Sequence, residues 1–349
     1  MRVCPVGTAL RRAAGSALLA LCSLYAGAAF TAESAVVVMY HRFGESAHPS
    51  TNVTLEQFDA HLAELAGGGY VVKPVPEILA AIRAGRTLPE NTLGISIDDA
   101  FLSAYREAWP RLRRAGLPFT LFVATDPLDR GAPGYMSWDQ LRELAQAGVT
   151  IGSQTASHPH MPLLSAERNA AELEKSNARF KAELGAAPQL IAYPYGEYSL
   201  AVGAVARAAG FAAGFGQHSG VIHTGSEVYN LPRFAFNESF GDVARFRLAG
   251  RALPLHESDV TPADCFLSGG SNPPLFGFTV NGIAPARLSR LACYVSGQGK
   301  ARIERLGERR IEVRMAAAFG PGRTRVNCTL PEADGRWRWF GRQFVVPRR

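Results

Sequence analysis

The stretch TLGISIDD, residues 92–99, joins an apolar, β-favouring run to two adjacent carboxylates. Such a run is typical of a buried parallel strand, and parallel barrels carry their functional side chains at the carboxyl ends of the strands. Asp98 and Asp99 repel each other unless another group compensates. A metal ion bound by one of them would do so and would leave the other free as a base. The alternative interpretation is a surface turn or a helix N-cap before Phe101.

Apolar runs and amphipathic segments alternate from Ala35 to about Gly250, which predicts a parallel sheet with helices outside it. Capping boxes begin at Thr54 and Ser137. Seven or eight strand–helix repeats favour a closed or nearly closed barrel over a doubly wound open sheet. We therefore expect an α/β fold, an irregular (β/α) barrel of about seven repeats, over residues 34–255. The candidate strands are Ala35–Tyr40, Tyr70–Lys73, Thr92–Ile97, Pro118–Ala124, Val149–Thr155, Leu190–Tyr193, Phe211–Gly216 and Asn230–Phe236.

The pattern changes after a linker-like segment that contains Pro254, Asp259 and Pro262. Short β-favouring runs separated by Gly, Pro and Asn follow, and RIEVRM (residues 310–315) alternates strictly between polar and apolar residues. Residues 262–349 are therefore predicted to form a small all-β sandwich that serves as an accessory domain.

The N-terminus reads as a signal peptide over residues 1–28. Arginines at positions 2, 11 and 12 precede an apolar segment, and Ala26-Gly27-Ala28 has the small-x-small form of a cleavage site. A retained N-terminal anchor is the alternative, and no later segment is long and apolar enough for a stable membrane span. The prediction is an exported chain, periplasmic or extracellular.

Export exposes cysteines to an oxidising compartment. Three cysteines follow the predicted cleavage site: Cys265, Cys293 and Cys328. Cys293 and Cys328 lie in strand-like runs and are the preferred pair, which leaves Cys265 free; three reduced, buried thiols are the alternative.

Charge is spread unevenly along the chain. The net charge is +7, but from Thr261 onward 15 Lys and Arg stand against 6 Asp and Glu. A basic module outside the cytoplasm favours acidic polysaccharide or a membrane surface over nucleic acid, so no nucleic-acid partner is expected. A solvated arginine-rich face explains the same pattern equally well. The oligomeric state is not determined by the sequence.

Two further clusters follow predicted strands. IGSQTASHPHM (residues 151–161) places His158 and His160 where they could bind a metal together with Asp99, although His-Pro-His is also common in ordinary loops. In YPYG (residues 193–196), Pro194 and Gly196 define a turn that could present a backbone N–H to an oxyanion.

The Asp-Asp pair, the histidine-bearing loop and Pro-Tyr-Gly, in this order and each closing a strand, resemble the polysaccharide deacetylases of the NodB-homology type (carbohydrate esterase family 4). MYH (residues 39–41), PFTLFV (residues 118–123) and LPRF (residues 231–234) fit the same resemblance, which covers roughly Val36 to Arg247. The resemblance implies hydrolysis of N-acetyl groups from a polysaccharide containing N-acetylated amino sugars, with a divalent metal, most plausibly Zn²⁺.

The resemblance also implies roles for particular residues. Asp98 matches the general base, Asp99 and His158 match metal ligands, and Tyr195 matches the residue whose backbone N–H helps to hold the oxyanion. His41 is similar to an active-site histidine in the poly-N-acetylglucosamine branch of the family.

Two positions depart from the family pattern. Gln154 stands where the first loop histidine is expected, so the third ligand is either this amide or His160. Ala192 stands where many members have an arginine that pairs with the base, and Arg233 could supply that charge. The general acid is left open among three histidines, with His218 preferred over His256 and His223.

Three other functions remain open at this point. A glycan-binding protein that has lost its metal is consistent with Gln154 and Ala192. An O-acetyl esterase would use the same residues. A glycosidase needs two carboxylates about 5 to 9.5 Å apart across one bond, which sequence neighbours rarely provide. In the C-terminal segment, Trp337 and Trp339 share one strand face and either stack on sugar rings or belong to the sandwich core.

Overall fold

The computed structural model describes residues 1–4 and 31–348. The predicted signal peptide, apart from its first four residues, lies outside this range. Within the described residues, no helix combines the length and apolar character needed to cross a bilayer.

A curled sheet of seven parallel strands forms the first unit. Its central strands carry continuous apolar runs because helices cover one face and the barrel interior the other. All six residues of Thr92–Ile97 are buried, as the sequence predicts. The spatial order is β6-β5-β4-β3-β2-β1-β7. The strands are β1 (Ser34–Tyr40), β2 (Thr92–Ile97), β3 (Thr120–Val123), β4 (Thr150–Ser153), β5 (Leu190–Ala192), β6 (Ala213–Phe215) and β7 (Phe234–Ala235).

The sheet nearly closes on itself between β6 and the segment that leads into β7. The N–H of Leu231 donates to the carbonyl of Gly214 at 2.9 Å, and the N–H of Gly216 donates to the carbonyl of Leu231 at 2.9 Å. β7 then pairs with β1 in parallel. The prediction of an irregular (β/α) barrel is confirmed, and the doubly wound open sheet is excluded.

Helices surround this sheet. α1 and α5 begin with the predicted capping boxes, in which the side chains of Thr54 and Ser137 accept from the N–H three residues on. The helices are α1 (Leu55–Gly67), α2 (Val75–Arg83), α3 (Trp109–Arg114), α4 (Thr125–Asp129), α5 (Trp138–Gln146), α6 (Ala166–Leu184), α7 (Leu200–Ala208) and α8 (Val243–Gly250).

Several two-residue strands supplement the barrel. The predicted strand Tyr70–Lys73 is reduced to Val71–Val72, which pairs in parallel with β2. Ile222–His223 pairs antiparallel with β1. The others are Thr31–Ala32 with Leu88–Pro89, and Arg42–Phe43 with Asn52–Val53.

Two sheets that share one apolar core form the C-terminal unit, and their strands run antiparallel except for Leu253–Pro254, which pairs in parallel with Trp337–Val346. The five-stranded sheet has the order β8-β16-β15-β11-β12, and the four-stranded sheet has the order β9-β10-β14-β13. Phe276, Phe278, Phe340 and Phe344 meet in the core between them. The strands are β8 (Leu253–Pro254), β9 (Glu257–Thr261), β10 (Phe276–Val280), β11 (Ala292–Val295), β12 (Gly299–Lys300), β13 (Arg302–Leu306), β14 (Arg310–Arg314), β15 (Gly322–Pro331) and β16 (Trp337–Val346).

The structure bears out the preferred cysteine pairing. Cys293 and Cys328 are opposite each other on β11 and β15 and form a disulfide, whereas Cys265 is buried and free.

The segment expected to be a linker belongs to the sandwich instead. Leu253–Pro254 pairs with Trp337–Val346, and Glu257–Thr261 is an edge strand next to Phe276–Val280. Leu255 lies in the sandwich core. The prolines misled the sequence-based boundary, because proline is tolerated on edge strands as well as in linkers.

Trp339 lies between the two units rather than in the sandwich core. Its ring packs edge-on against Phe234 of β7 at 5.2 Å, and the guanidinium of Arg245 from α8 lies 5.1 Å from the ring centre. Neither expected role for Trp339, sugar stacking or sandwich core, describes this contact. The ring instead joins the sandwich to the barrel.

Candidate active site

Asp98 and Arg233 form a fully buried ion pair at the carboxyl end of the sheet. Asp98 directly follows β2, and Arg233 directly precedes β7. The Arg233 guanidinium donates to both carboxylate oxygens, at 2.6 and 2.8 Å, and neither side chain is exposed. A two-pronged, charge-assisted contact of this kind fixes the plane of the carboxylate as well as its position.

Further hydrogen bonds hold the Arg233 guanidinium. Its Nε donates to the carbonyl of Gly216 at 3.0 Å, and its Nη1 donates to Ser96 Oγ at 3.1 Å. Because Ala192 offers no charge, Arg233 is the residue that brings a guanidinium to Asp98. A buried arginine requires such a partner. The sequence pointed to Arg233 through the family resemblance, since Ala192 stands where many members have the arginine that pairs with the base.

His41 lies beside the same carboxylate. It directly follows β1, and its Nε2 lies 3.9 Å from Oδ2 of Asp98. Among the described histidines, it alone comes within ion-pair distance of Asp98. Its side chain remains 12% exposed, so a ligand at the barrel mouth can reach it.

Asp99 and His158 form the second pair at the mouth. Oδ1 of Asp99 lies 3.4 Å from Nε2 of His158. Burial alone raises the pKa of Asp99, but His158, His41 and Gln154 outweigh burial, so the pKa lies below its usual range. The carboxylate is therefore ionised at neutral pH and available to a cation.

The geometry of this pair fits a divalent ion. Oδ1 of Asp99 is buried and accepts no hydrogen bond from the described part of the chain. Two donors on one tetrahedral zinc ion, each about 2.0–2.1 Å from it, lie roughly 3.3 Å apart. The observed separation of 3.4 Å matches this value. Within residues 1–4 and 31–348, no group of three or more His, Cys, Asp or Glu side chains could hold a metal.

Gln154 lies at the pair and is engaged by the backbone of Asp99. Its Oε1 accepts the backbone N–H of Asp99 at 3.0 Å, and its Nε2 is buried without a partner among the described residues. An amide N–H₂ carries no lone pair suited to a metal, so only Oε1 could serve as a donor. In this arrangement Gln154 holds the backbone of Asp99, and its role as a metal ligand stays a prediction.

His160 lies beside Glu197 and Tyr195. Its Nδ1 lies 2.8 Å from Oε2 of the buried Glu197, and its ring stacks on Tyr195 with 4.2 Å between ring centres. His158 contacts the same tyrosine ring edge-on, at 4.6 Å. Of these two histidines, only His158 comes within ion-pair distance of Asp99, and a place for His160 in the ligand set stays a prediction.

Tyr195 presents its backbone at the mouth. It lies in the short 3₁₀ turn Pro194–Gly196 after β5 and has a left-handed backbone with φ of 59°. We find no acceptor for its N–H among the described residues. Gly196 also has positive φ, and a Cβ at this position would lie 2.4 Å from Gln217. The turn thus offers the free N–H donor that the sequence motif predicts.

Backbone strain concentrates at this end of the barrel. Five of the eight described non-glycine residues with positive φ belong to the loops after β2, β4 and β5. Left-handed residues of this type persist only where the surroundings enforce them, and they cluster at functional sites. The five residues are Asp99, Ala100, Thr155, His158 and Tyr195.

His218 does not join the site. Burial lowers its pKa to about 3, and the nearby charges of Arg342, Arg325 and Arg233 act in the same direction. Its Nδ1 has no hydrogen-bond partner among the described residues, and its ring lines a small cavity between barrel and sandwich. A histidine with a lowered pKa is mostly neutral at neutral pH, which weighs against His218 as the general acid, and that assignment stays a prediction.

His223 and His256, the other two candidates for the general acid, lie next to each other and away from Asp98 and Asp99. The rings of His223 and His256 meet edge-on at 4.6 Å, and Nε2 of His223 lies 3.5 Å from Glu257. All three residues follow β6 in the chain and lie near the start of the sandwich. Neither histidine contacts Asp98 or Asp99.

Sequence reasoning missed the residues that support the Tyr195 turn. Glu197 binds His160, and Gln343 and Arg323 from the sandwich contact the carbonyl of Tyr195. Only Glu197 carried a local signal, as an acidic residue directly after the turn. The other two lie more than one hundred positions away, where no motif links them to it.

Comparisons with known proteins agree with this geometry. A family model described as Polysaccharide deacetylase matches residues 85–214, a range that includes Asp98, Asp99, His158 and Tyr195. YxkH of Bacillus subtilis (strain 168), whose name marks it provisionally as a polysaccharide deacetylase, is 25% identical over 197 residues. The match covers 56% of this chain and 69% of YxkH.

Solved structures share the fold. The deacetylase PplD from Streptococcus pyogenes, in complex with acetate, is 21% identical with a TM-score of 0.56 and covers 59% of this chain and 94% of its own. IcaB from Ammonifex degensii is 24% identical with a TM-score of 0.57 and covers 63% of this chain and 98% of its own. At these identities the likeness establishes the fold alone.

The matching family model, the relative YxkH and the fold all indicate the same protein family. The family supports de-N-acetylation in general, suggests a hydrolase that acts on acetyl groups of a polysaccharide substrate, and is generally metal-dependent. The chain contains a polysaccharide deacetylase domain of the NodB-homology type, carbohydrate esterase family 4.

Proposed function

We propose that this protein hydrolyses N-acetyl groups of a polysaccharide that contains N-acetylated amino sugars, with the help of a divalent metal. The observation that carries the proposal is the adjacency of two unlike carboxylates. Arg233 binds both oxygens of Asp98, whereas Oδ1 of Asp99 accepts no hydrogen bond from the described residues and faces His158. One carboxylate is thus positioned as a base and the other is open to a cation.

Asp99 and His158 would hold the ion, and Zn²⁺ suits a carboxylate–imidazole pair. When bound, such an ion acts as a Lewis acid that makes water acidic near neutral pH and polarises a carbonyl oxygen. Gln154 could add an amide oxygen only if it released the N–H of Asp99.

Asp98 would take the proton from the attacking water. The Arg233 clamp holds its carboxylate still, so that little reorganisation is needed when the proton moves. As water adds to the acetamide carbon, negative charge develops on the carbonyl oxygen. The free N–H of Tyr195 would stabilise that charge as a preorganised donor.

His41 would protonate the leaving amine. It replaces His218 in this role because its Nε2 lies 3.9 Å from Asp98 and its side chain is partly open to the mouth. Protonation lets the carbon–nitrogen bond break. The products are acetate and a free amino sugar, so one water is consumed for each amine released.

We also propose that the chain is exported to the periplasm or the cell exterior. The disulfide between Cys293 and Cys328 supports an oxidising compartment. A polysaccharide substrate is consistent with that location.

The direct test supplies purified protein with Zn²⁺ or Co²⁺ and offers it N-acetylated and O-acetylated polysaccharides in parallel. We expect acetate from the N-acetylated glycan together with an equal amount of new free amine, and none from Asp99→Ala. Acetate release from the O-acetylated glycan alone would replace the proposal with an esterase.

A glycan-binding protein without catalysis is the second candidate, and the engagement of Gln154 favours it. The variant Gln154→His separates the two. If wild type binds glycan but neither binds zinc nor releases acetate, while Gln154→His binds zinc, the non-catalytic function is correct.

A further inference from the structure

We propose that the C-terminal sandwich is part of the catalytic unit, and that Gln343 and Arg323 are positioning residues for the Tyr195 turn. This inference rests on the proposed function, because it assigns the two residues to the oxyanion donor of that reaction. It differs from a detachable glycan-binding accessory domain, whose removal would leave the chemistry intact.

Gln343 contacts the turn from β16. Its side chain is 3% exposed, and its Nε2 donates to the carbonyl of Tyr195 at 3.1 Å and to that of Gly196 at 2.8 Å. Both hydrogens of one amide are therefore used on two successive carbonyls of the turn. A buried amide that lost these acceptors would be left unsatisfied, so the contact constrains both partners.

Arg325 fixes which way the Gln343 amide faces. It lies opposite Gln343 in the pairing of β15 with β16, and its Nε donates to Oε1 of Gln343 at 3.1 Å. A guanidinium can only donate. The oxygen of the amide must therefore face Arg325, and the two donor hydrogens must face the turn.

Arg323 adds a second contact from the same strand. Its Nη1 donates to the carbonyl of Tyr195 at 3.0 Å, and its guanidinium lies 5.5 Å from the centre of the Tyr195 ring. Its Nε lies 3.9 Å from Oε1 of Glu197. Arg323 and Arg325 are two positions apart on β15, so their side chains extend from the same face of the sheet.

These contacts act on the N–H of Tyr195 through the backbone. A left-handed tyrosine is disfavoured because its Cβ crowds the following carbonyl oxygen, so the turn would relax if nothing enforced it. Fixing the carbonyls of Tyr195 and Gly196 fixes the two peptide planes that follow the N–H. The sandwich thereby holds the direction in which the oxyanion donor points.

The two units also meet too closely to be separable modules. A Cβ added at Gly341 of β16 would lie 2.0 Å from the carbonyl oxygen of Ser219 in the barrel. β8, which directly follows the last barrel helix, is paired to β16. The strand that carries Gln343 is thus fixed against the barrel at several points.

The test uses full-length protein and variants that remove donors without changing size. Gln343→Glu keeps the shape but places an acceptor against two carbonyls, Gln343→Leu removes the amide, and Arg323→Ala removes the second donor. Gln298→Glu and Arg302→Ala are matched controls, since these residues bond only within the sandwich. Each variant is measured for acetate release, bound zinc and melting temperature.

A displaced oxyanion donor should lower kcat by about tenfold to a hundredfold and leave KM within about twofold. The kcat is expressed per bound zinc, so that a loss of folded protein does not imitate a loss of rate. We expect this pattern in Gln343→Glu and Gln343→Leu, a smaller loss in Arg323→Ala with recovery in Arg323→Lys, and no change in the controls.

If the wild type is active and every Gln343 and Arg323 variant keeps its kcat within about twofold of the wild-type value, the inference is wrong and the proposed function still stands. Equal losses in the controls would also overturn it, since they would show a general effect of the sandwich. An inactive wild type that still binds glycan would instead overturn the proposed function, and the inference with it. If Gln343→Glu does not fold, the kcat values of Gln343→Leu and Arg323→Ala test the inference in its place.

Discussion

The two groups of histidines in this molecule differ in the charges that surround them. At the barrel mouth, His41 and His158 lie 3.9 and 3.4 Å from the carboxylates of Asp98 and Asp99. At the boundary with the sandwich, His218 lies among arginines and burial lowers its pKa to about 3. A histidine beside carboxylates can hold a proton or share a cation, whereas one enclosed among guanidiniums stays neutral. Burial, together with the sign of the neighbouring charges, therefore distinguishes His218 from the two histidines at the mouth.

The largest effect should come from the carboxylate at the mouth. Asp98→Asn removes the base and should lower kcat by about a thousandfold. It also leaves Arg233 buried without a counter-charge, which we expect to cost about 3–5 kcal/mol of unfolding free energy. Steady-state kinetics and urea denaturation measure the two effects.

The double variant Asp98→Asn, Arg233→Met separates those effects. It removes both charges, so much of the stability should return while the activity does not. A double variant with restored activity would show that Asp98 serves stability alone.

The next effect distinguishes the two histidine groups by metal binding. His158→Ala should weaken zinc binding by at least about a hundredfold, because it removes an imidazole donor beside Asp99. The matched variant His218→Gln should bind zinc as wild type does. Zinc titration by calorimetry measures both, and equal affinities in the two variants would contradict the assignment of the mouth as the metal site.

Low pH should lower the stability of the protein through His218, the histidine at the boundary with the sandwich. The ordinary pKa of histidine is 6.5 and that of folded His218 is about 3, so between these values the unfolded chain binds a proton that the folded chain does not. This contribution to stability is complete above pH 6.5 and is lost as the pH falls toward 3. The maximal slope from one such group is about 1.4 kcal/mol per pH unit.

Chemical denaturation from pH 7 to pH 4 tests this point. His218→Gln should flatten the decline without removing it, because burial also lowers the pKa of His61, to about 4. An unchanged slope in His218→Gln would show that this histidine is not held neutral by the fold.

The smallest expected effect concerns His160. His160→Gln should leave zinc affinity unchanged, since His160, unlike His158, does not come within ion-pair distance of Asp99. The loss of the contact should cost about 1–3 kcal/mol of unfolding free energy, because it leaves Glu197, whose side chain is 3% exposed, without this partner. A clear fall in zinc affinity would return His160 to the ligand set.

The sequence was sufficient to predict the parallel sheet and to predict that the loops after β2, β4 and β5 lie close together. Continuous apolar runs predict parallel strands, and parallel strands place their carboxyl ends at one edge. Asp98, Asp99, His158 and Tyr195 therefore had to converge. The pairing of Arg233 with Asp98 was suggested by the family resemblance, because Ala192 stands in place of the expected arginine and Arg233 could supply its charge.

Side-chain directions were not accessible in the same way. His158 and His160 are two residues apart, yet one faces Asp99 and the other binds Glu197, because both the left-handed backbone at His158 and the position of Glu197 decide the outcome. Gln343 contacts a turn 147 positions earlier. Contacts of this range depend on how the sandwich docks, which no local pattern encodes.

The most direct test of the central claim is a zinc titration of the metal-free wild-type protein in which acetate release is followed in the same sample. The account predicts one equivalent of zinc per chain and an activity on N-acetylated polysaccharide that rises in proportion to zinc occupancy. Asp99→Ala should neither bind zinc nor release acetate. A folded wild type that binds no zinc and releases no acetate at any zinc concentration would contradict it.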